Sequence, residues 1–251
     1  LWLASLAAHL LETTMAYKTI RGKILYTSLK EERKGAERGR EYFSITQQRD
    51  GCKVVHAHCE IDDAPMVVRD VVLSLDPDNY PLDSHVRLTV GHQFEGSGWF
   101  RFGNDYAECE TFNQRDGRIS QRIELEQRIR WLGTHPILCD ALGAACYDLS
   151  QGPGKTLFPS MALTSPDHRG ATGPLLFRLG FGIEFVGRET IEVPAGTFKC
   201  LHFRYTDTGG QMPEEHPAYD VWCTEEDYIL LAAQAGGYMQ TRYDLVELSI
   251  E

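Results

Sequence analysis

Glu108 and Glu110 lie two apart in the run WFRFGNDYAECETFNQRDGRISQRIELEQRIRW, shortly after Arg101. Carboxylates at that spacing share one face of a β-strand. On a buried face, an unpaired glutamate is pushed toward its protonated form and suits a general acid or base near neutral pH. An arginine beside it can stabilise an oxyanion or enolate. Whether that face is buried depends on hairpin parity. Residues 119–131 put Ile119, Ile123, Leu125, Ile129 and Trp131 on one face with Gln121 and Gln127. The other face carries Ser120, Arg122, Glu124, Glu126, Arg128 and Arg130. A two-residue turn at Asp116-Gly117 sets Glu110 opposite Ile123 and Glu108 opposite Leu125, on the apolar face. A second two-residue turn, at Gly103-Asn104 or Asn104-Asp105, adds Trp99, Arg101 and Tyr106 to that face. The candidate catalytic residues are therefore Glu108, Glu110 and Arg101, and the candidate ligand-binding residues are Trp99, Tyr106, Ile123, Leu125 and Trp131. A three-residue loop at 115–117 reverses the parity. Glu108 and Glu110 then join Arg122 and Glu124 on a wet face as ordinary cross-strand charge pairs.

Other chemistry-bearing residues are more isolated. His56, His58 and Glu60 share a strand face and have the types of metal ligands, but Val55, Ala57, Cys59 and Ile61 make the opposite face apolar. A half-buried strand with its polar face in water explains the pattern without a metal. His92 and His135 each stand at a turn or strand end, where either could act as a general base. Gly152-Pro153-Gly154-Lys155-Thr156 imitates the end of a phosphate loop, yet Leu149 stands where glycine is required and Pro153 removes a cradling N–H. No cofactor motif or nucleophile triad is visible, so the expectation is a protein without metal or cofactor.

These residues must be positioned by a fold that the remaining sequence outlines. The chain has 251 residues, 42% of them hydrophobic and 24% charged, which suits one mainly β domain with a sizeable core. A net charge of −11 argues against nucleic acid and against an anionic membrane surface as partners. Seven scattered cysteines, an odd number without a C-x-x-C pair, read as reduced core thiols of a cytoplasmic protein. The opening run LWLASLAAHLLETTMAY is shorter than the roughly 20 residues of a bilayer span and lacks a basic leading region and a cleavage site. Its Leu3, Leu6, Leu10 and Leu11 fit an N-terminal helix over residues 1–16. A start at Leu1 rather than Met leaves room for an upstream piece.

Asp50-Gly51, Gly103-Asn104 and Asp116-Gly117 separate alternating runs and read as hairpins. Residues 137–149 switch to helical spacing after Thr134 and Pro136, giving a helix that covers the sheet. Residues 150–182, rich in Gly and Pro, read as a long surface loop. Residues 183–206 form a hairpin turning at Pro194-Ala195-Gly196, and three short strands follow from Ala218. The expected architecture is a curved antiparallel sheet or partly open β-barrel with one or two covering helices, in a single domain.

Within the stretch GIEFVGRETIEVPAGTFKCLHFRY, the residues Gly187, Glu189, Ile191, Val193, Pro194, Ala195, Gly196 and Phe198, with Trp222 in a following strand, resemble the C-terminal hairpin of an uncharacterised bacterial β-rich family. The resemblance covers about residues 183–250. It implies a half-barrel akin to lipoprotein-carrier folds that hold apolar ligands, and it carries over no catalytic residue. Members are often exported, whereas no export signal is visible here. The sequence leaves three functions open. The first is binding of a small apolar or aromatic ligand in a cup, walled by Trp99, Tyr106 and Trp131. The second is a cofactor-independent lyase, isomerase or hydrolase using Glu108 or Glu110 with Arg101. The third is a protein-interaction module. Oligomeric state is not readable.

Overall fold

The computed structural model describes residues 17–206 and 216–251. The helix expected over residues 1–16 lies outside them. Among the described residues, fifteen strands form one sheet. They are β1 (Tyr17–Ser28), β2 (Glu37–Gln48), β3 (Lys53–Ile61), β4 (Val67–Leu75), β5 (Pro81–Val90), β6 (Gln93–Phe102), β7 (Tyr106–Asn113), β8 (Gly117–Glu124), β9 (Leu132–Gly133), β10 (Gly154–Leu163), β11 (Phe177–Val193), β12 (Gly196–Thr206), β13 (Tyr219–Cys223), β14 (Leu230–Ala235) and β15 (Thr241–Ile250). A single short α-helix among the described residues, α1 (Ile137–Gly143), stands between β9 and β10. The curved antiparallel sheet expected from the sequence is the fold observed.

The topology is two antiparallel meanders joined at a central seam, with the two-residue β9 added parallel to β10 at one edge. The spatial order runs from β8 down to β1, then from β15 down to β9. β1 and β15 pair antiparallel at the seam, with Tyr26 opposite Tyr243. Alternation sets the faces. In β3 and β4 every second residue is buried, so Val55, Ala57, Cys59, Val67, Val71 and Leu73 point inward. The sheet curls around α1, which packs against β9, β13 and β14 while its first N–H groups reach a carboxylate on β2, far away in strand order. The Gln121 side chain on edge strand β8 donates to the Leu176 carbonyl at 3.3 Å and accepts from the Leu176 N–H at 2.8 Å, tying that edge to the β10–β11 connection.

Several sequence expectations are corrected in detail. The stretch 150–182 is mostly strand, because β10 and the start of β11 lie within it. Its Pro159 falls where the β10–β11 register shifts between Phe158 and Met161, a position that tolerates a missing N–H. The remaining connection is residues 164–176. The strand read over 119–131 stops at Glu124, and the helix read over 137–149 gives way after Gly143 to 3-10 turns at Ala144–Cys146 and Leu149–Gln151. The β11–β12 hairpin turns at Pro194-Ala195, with Val193 opposite Gly196. Glu189 on its outer face accepts from the Trp222 indole at 2.5 Å and lies 3.0 Å from His202.

Candidate functional site

One charged residue interrupts the apolar segment ILCDALGAAC, and it defines the site. Asp140 sits in α1 among the buried residues Ile137, Leu138, Cys139, Ala141 and Leu142. Its Oδ2 accepts from the Tyr219 hydroxyl of β13 at 2.9 Å, and its backbone carbonyl accepts from the Tyr205 hydroxyl of β12 at 2.5 Å. Burial pushes the Asp140 carboxyl up to about 7, against the opposing pull of the Tyr219 hydrogen bond. Asp140 borders a cavity of about 150 Å³ inside the curl of the sheet. Tyr26, Tyr205, Tyr219, Tyr243, Phe181 and Trp131 supply its aromatic wall, and Met161, Ile183 and Ile137 add aliphatic surface. The rings pack edge to face, Tyr205 on Tyr219 at 5.1 Å and Tyr26 on Tyr243 at 4.8 Å between centroids.

A second buried carboxylate fixes the helix that carries Asp140. Glu41 of β2 is fully buried. It accepts from the Tyr26 hydroxyl at 2.6 Å and from the N–H groups of Ile137 and Leu138 at 2.8 and 3.2 Å. Those N–H groups open α1 and have no intrahelical partner, so Glu41 does the work of a cap from a distant strand. Burial raises the Glu41 carboxyl above the usual carboxylate range, opposed by these hydrogen bonds.

Basic residues also border the cavity. Arg69 of β4 is 2% exposed and donates to the carbonyls of Arg169 and Gly170, the latter at 3.0 Å. Arg169 in turn donates to the carbonyls of Asp63 and Pro65 at 2.9 and 2.8 Å. The two guanidiniums thus clasp the 164–176 connection to the β3–β4 turn. His135, two residues before α1, also borders the cavity. Its φ of 74° is the left-handed region that a histidine rarely adopts. Its Nε2 is buried without a hydrogen-bond partner. Burial, followed by the neighbouring Arg69 charge, pushes its pKa well down, so the ring is neutral.

The fold, now with its cavity, has a counterpart. The chain folds like a solved β-barrel-like protein of the domain of unknown function DUF1849 from Brucella abortus. The TM-score is 0.56 at 12% sequence identity, over 94% of this chain and 98% of that one. At that identity the likeness is one of fold. A candidate exported protein with a YmcC-like fold from Bacteroides fragilis aligns over 94% of this chain and 96% of that one at 9% identity, with a TM-score of only 0.33. No family model matches the chain, and no curated protein matches it.

The residues singled out from the sequence are only partly brought together. Trp99, Arg101, Tyr106, Glu108 and Glu110 do share a face, as the Asn104-Asp105 turn requires, with Arg101 opposite Glu108 and Trp99 opposite Glu110. That face is the outer one. Asn113 pairs with Gly117, so Gln114, Arg115 and Asp116 form a three-residue loop and Glu110 falls opposite Ser120 rather than Ile123. Glu110 accepts from Ser120 at 2.6 Å and from Arg118, which hold its carboxyl below the usual range. Glu108 pairs with Arg122 at 2.7 Å, and Arg122 lies over the Tyr106 ring. The inward placement that motivated acid–base chemistry at Glu108 and Glu110 is thereby corrected. Ile123 and Leu125 pack inward against the core, but none of the strands β6, β7 and β8 contributes to the cavity. Trp131 alone of the candidate ligand-binding residues lines it. His58 is held between Asp70 at 2.6 Å and Glu60 at 3.3 Å on the outer face.

Asp140, Glu41 and Arg69 were within reach of the same parity logic. Arg69 stands on the apolar parity of VVRDVVLSL with Val67, Val71 and Leu73, and Glu41 on that of Phe43 and Ile45. A charge on the buried face of a strand needs a partner or a purpose.

Proposed function

We propose that the protein binds a small molecule with an apolar or aromatic body in the cavity between α1 and the inner face of the sheet. The observation that carries this reading is the tyrosine-lined cavity with Asp140 as a polar contact in an otherwise hydrophobic helix. Cavities that serve as ligand sites are mostly apolar with a few placed polar groups. The volume of about 150 Å³ favours a single ring or a short acyl chain over a long lipid. The barrel-like fold of the structural neighbour is compatible with such a cup.

Titration calorimetry with single-ring compounds such as toluene, phenol and p-cresol tests it. Saturable binding at one site is expected. Ala162→Trp, which fills the cavity from β10, is expected to weaken binding at least about tenfold, a loss of roughly 1.4 kcal/mol. Glu108→Gln and Glu110→Gln are expected to leave it unchanged. Binding that survives Ala162→Trp in a folded variant, or that is lost in the glutamate variants, contradicts the reading.

A second reading, proton transfer on the bound molecule, draws on Asp140 with its carboxyl near 7 and on the neutral His135 with an unpartnered nitrogen. It moves the acid–base role from Glu108 and Glu110 to groups that border the cavity. Turnover lost with binding retained in Asp140→Asn is its signature.

A further inference from the structure

The cavity has a charge asymmetry that an apolar ligand alone does not explain. Three arginines border it, in a protein whose net charge is −11. Arg38 is neutralised by Asp63 at 2.5 Å. Arg69 and Arg169 are different, because each is satisfied only by backbone carbonyls and neither has a carboxylate within ion-pair distance among the described residues. Arg69 is the buried one of the two and keeps its full charge. With no carboxylate paired to it, it is a costly arrangement that an incoming anion relieves. Beside Arg69 stands His135, whose Nε2 is buried and unpartnered. A side chain at Gly170 would run into both the Arg69 guanidinium and the His135 ring, so the glycine is what lets the two groups crowd together.

We infer that the Arg69–His135 wall is an anion subsite, and that the ligand is a small aromatic or short-chain carboxylate whose body lies against the tyrosines. The inference rests on the proposed binding function and specifies its ligand class. A carboxylate there meets the Arg69 guanidinium, which has no ion-pair partner among the described residues, with one oxygen and the open His135 nitrogen with the other. A neutral imidazole carries a single N–H, and a carboxylate against Nε2 favours the doubly protonated, charged ring. Binding therefore takes up a proton. The titratable and charged groups facing His135 are Arg69 from β4, His168 from the 164–176 connection and His216 from the segment before β13. Asp140, which also borders the cavity, shifts toward its protonated form when an anion enters and adds to the uptake.

Benzoate and benzyl alcohol form a matched pair for the test, because they share a ring and differ in charge. Calorimetry on the full chain is expected to show benzoate binding at least about tenfold more tightly, the effect of one hydrogen bond to a charged group. Heats measured in buffers of different ionisation enthalpy are expected to show net proton uptake for benzoate and none for the alcohol. Arg69→Met is expected to abolish the preference. Since Arg69 also clasps the 164–176 connection, His135→Gln serves as the second variant, expected to reduce the preference and the proton uptake. Equal affinity for the two compounds in the wild type overturns the anion subsite while leaving the binding function standing. Absence of binding by either compound overturns both. A benzoate preference that persists in Arg69→Met and in His135→Gln overturns the assignment to this wall.

Discussion

Asp140 is a carboxyl that the fold holds near 7 when an ordinary aspartate lies at 3.8. Burial disfavours its charged form, and the Glu41 charge adds to this. The Tyr219 hydroxyl and the more distant Arg69 oppose it without restoring the usual value. The folded state therefore holds a proton between about pH 4 and pH 7 that the unfolded chain has released, so stability falls as pH rises through that window. The contribution is fully present below the unfolded value and is lost by the time the folded value is passed. Comparison with Asp140→Asn isolates it. The stability difference, wild type minus variant, is expected to drop by on the order of 4 kcal/mol between about pH 4 and pH 8, measured by urea unfolding. A difference that is flat or that rises with pH contradicts the burial of this carboxyl. At the residue scale the sequence did contain the signal. Asp140 is the one charge in ILCDALGAAC, and Arg69 and Glu41 sit on apolar parities. What it did not contain was which of several charged residues on apolar parities face a cavity, because that depends on strands far apart in the chain.

At the scale of elements, α1 is a two-turn helix that its own sequence cannot stabilise. Its position comes from Glu41, which binds the Ile137 and Leu138 N–H groups and the Tyr26 hydroxyl at once. Glu41→Ala leaves all three without a partner in the core. It is expected to cost about 2–4 kcal/mol and to lower the melting temperature by roughly 5–10 °C, read by calorimetry. A loss below about 0.5 kcal/mol would show that α1 is held by its apolar packing alone. The hairpins show how far element-level reading reaches. The Asn104-Asp105 turn and the Pro194-Ala195 turn follow from sequence, and so does the grouping of Trp99 and Arg101 with Glu108 and Glu110. The Asp116-Gly117 hairpin did not follow. There the Asn113 side chain accepts from the Asp116 N–H at 2.7 Å, and Gly117, with φ of 73°, closes a three-residue loop instead of completing a two-residue one. One residue of loop length moved the whole cluster from the inner face to the outer.

At the scale of the molecule, curling brings β2 and β4 from one meander and β12, β13 and β15 from the other around a single cavity. Period-two alternation and turn chemistry made the mainly β, curved architecture legible. The closure was not, because it rests on contacts such as Gln121 with Leu176 that no local pattern announces. Among the described residues no helix is long and apolar enough to cross a membrane. The central claim is that function resides in this cavity and not on the β6–β8 face that the sequence first points to. Amide chemical-shift mapping with p-cresol tests it most directly. The account predicts shifts concentrated in residues 131–143 and in β12, β13 and β15, with Glu108, Glu110 and their neighbours unmoved. Shifts centred on β6, β7 and β8, with α1 silent, would contradict it.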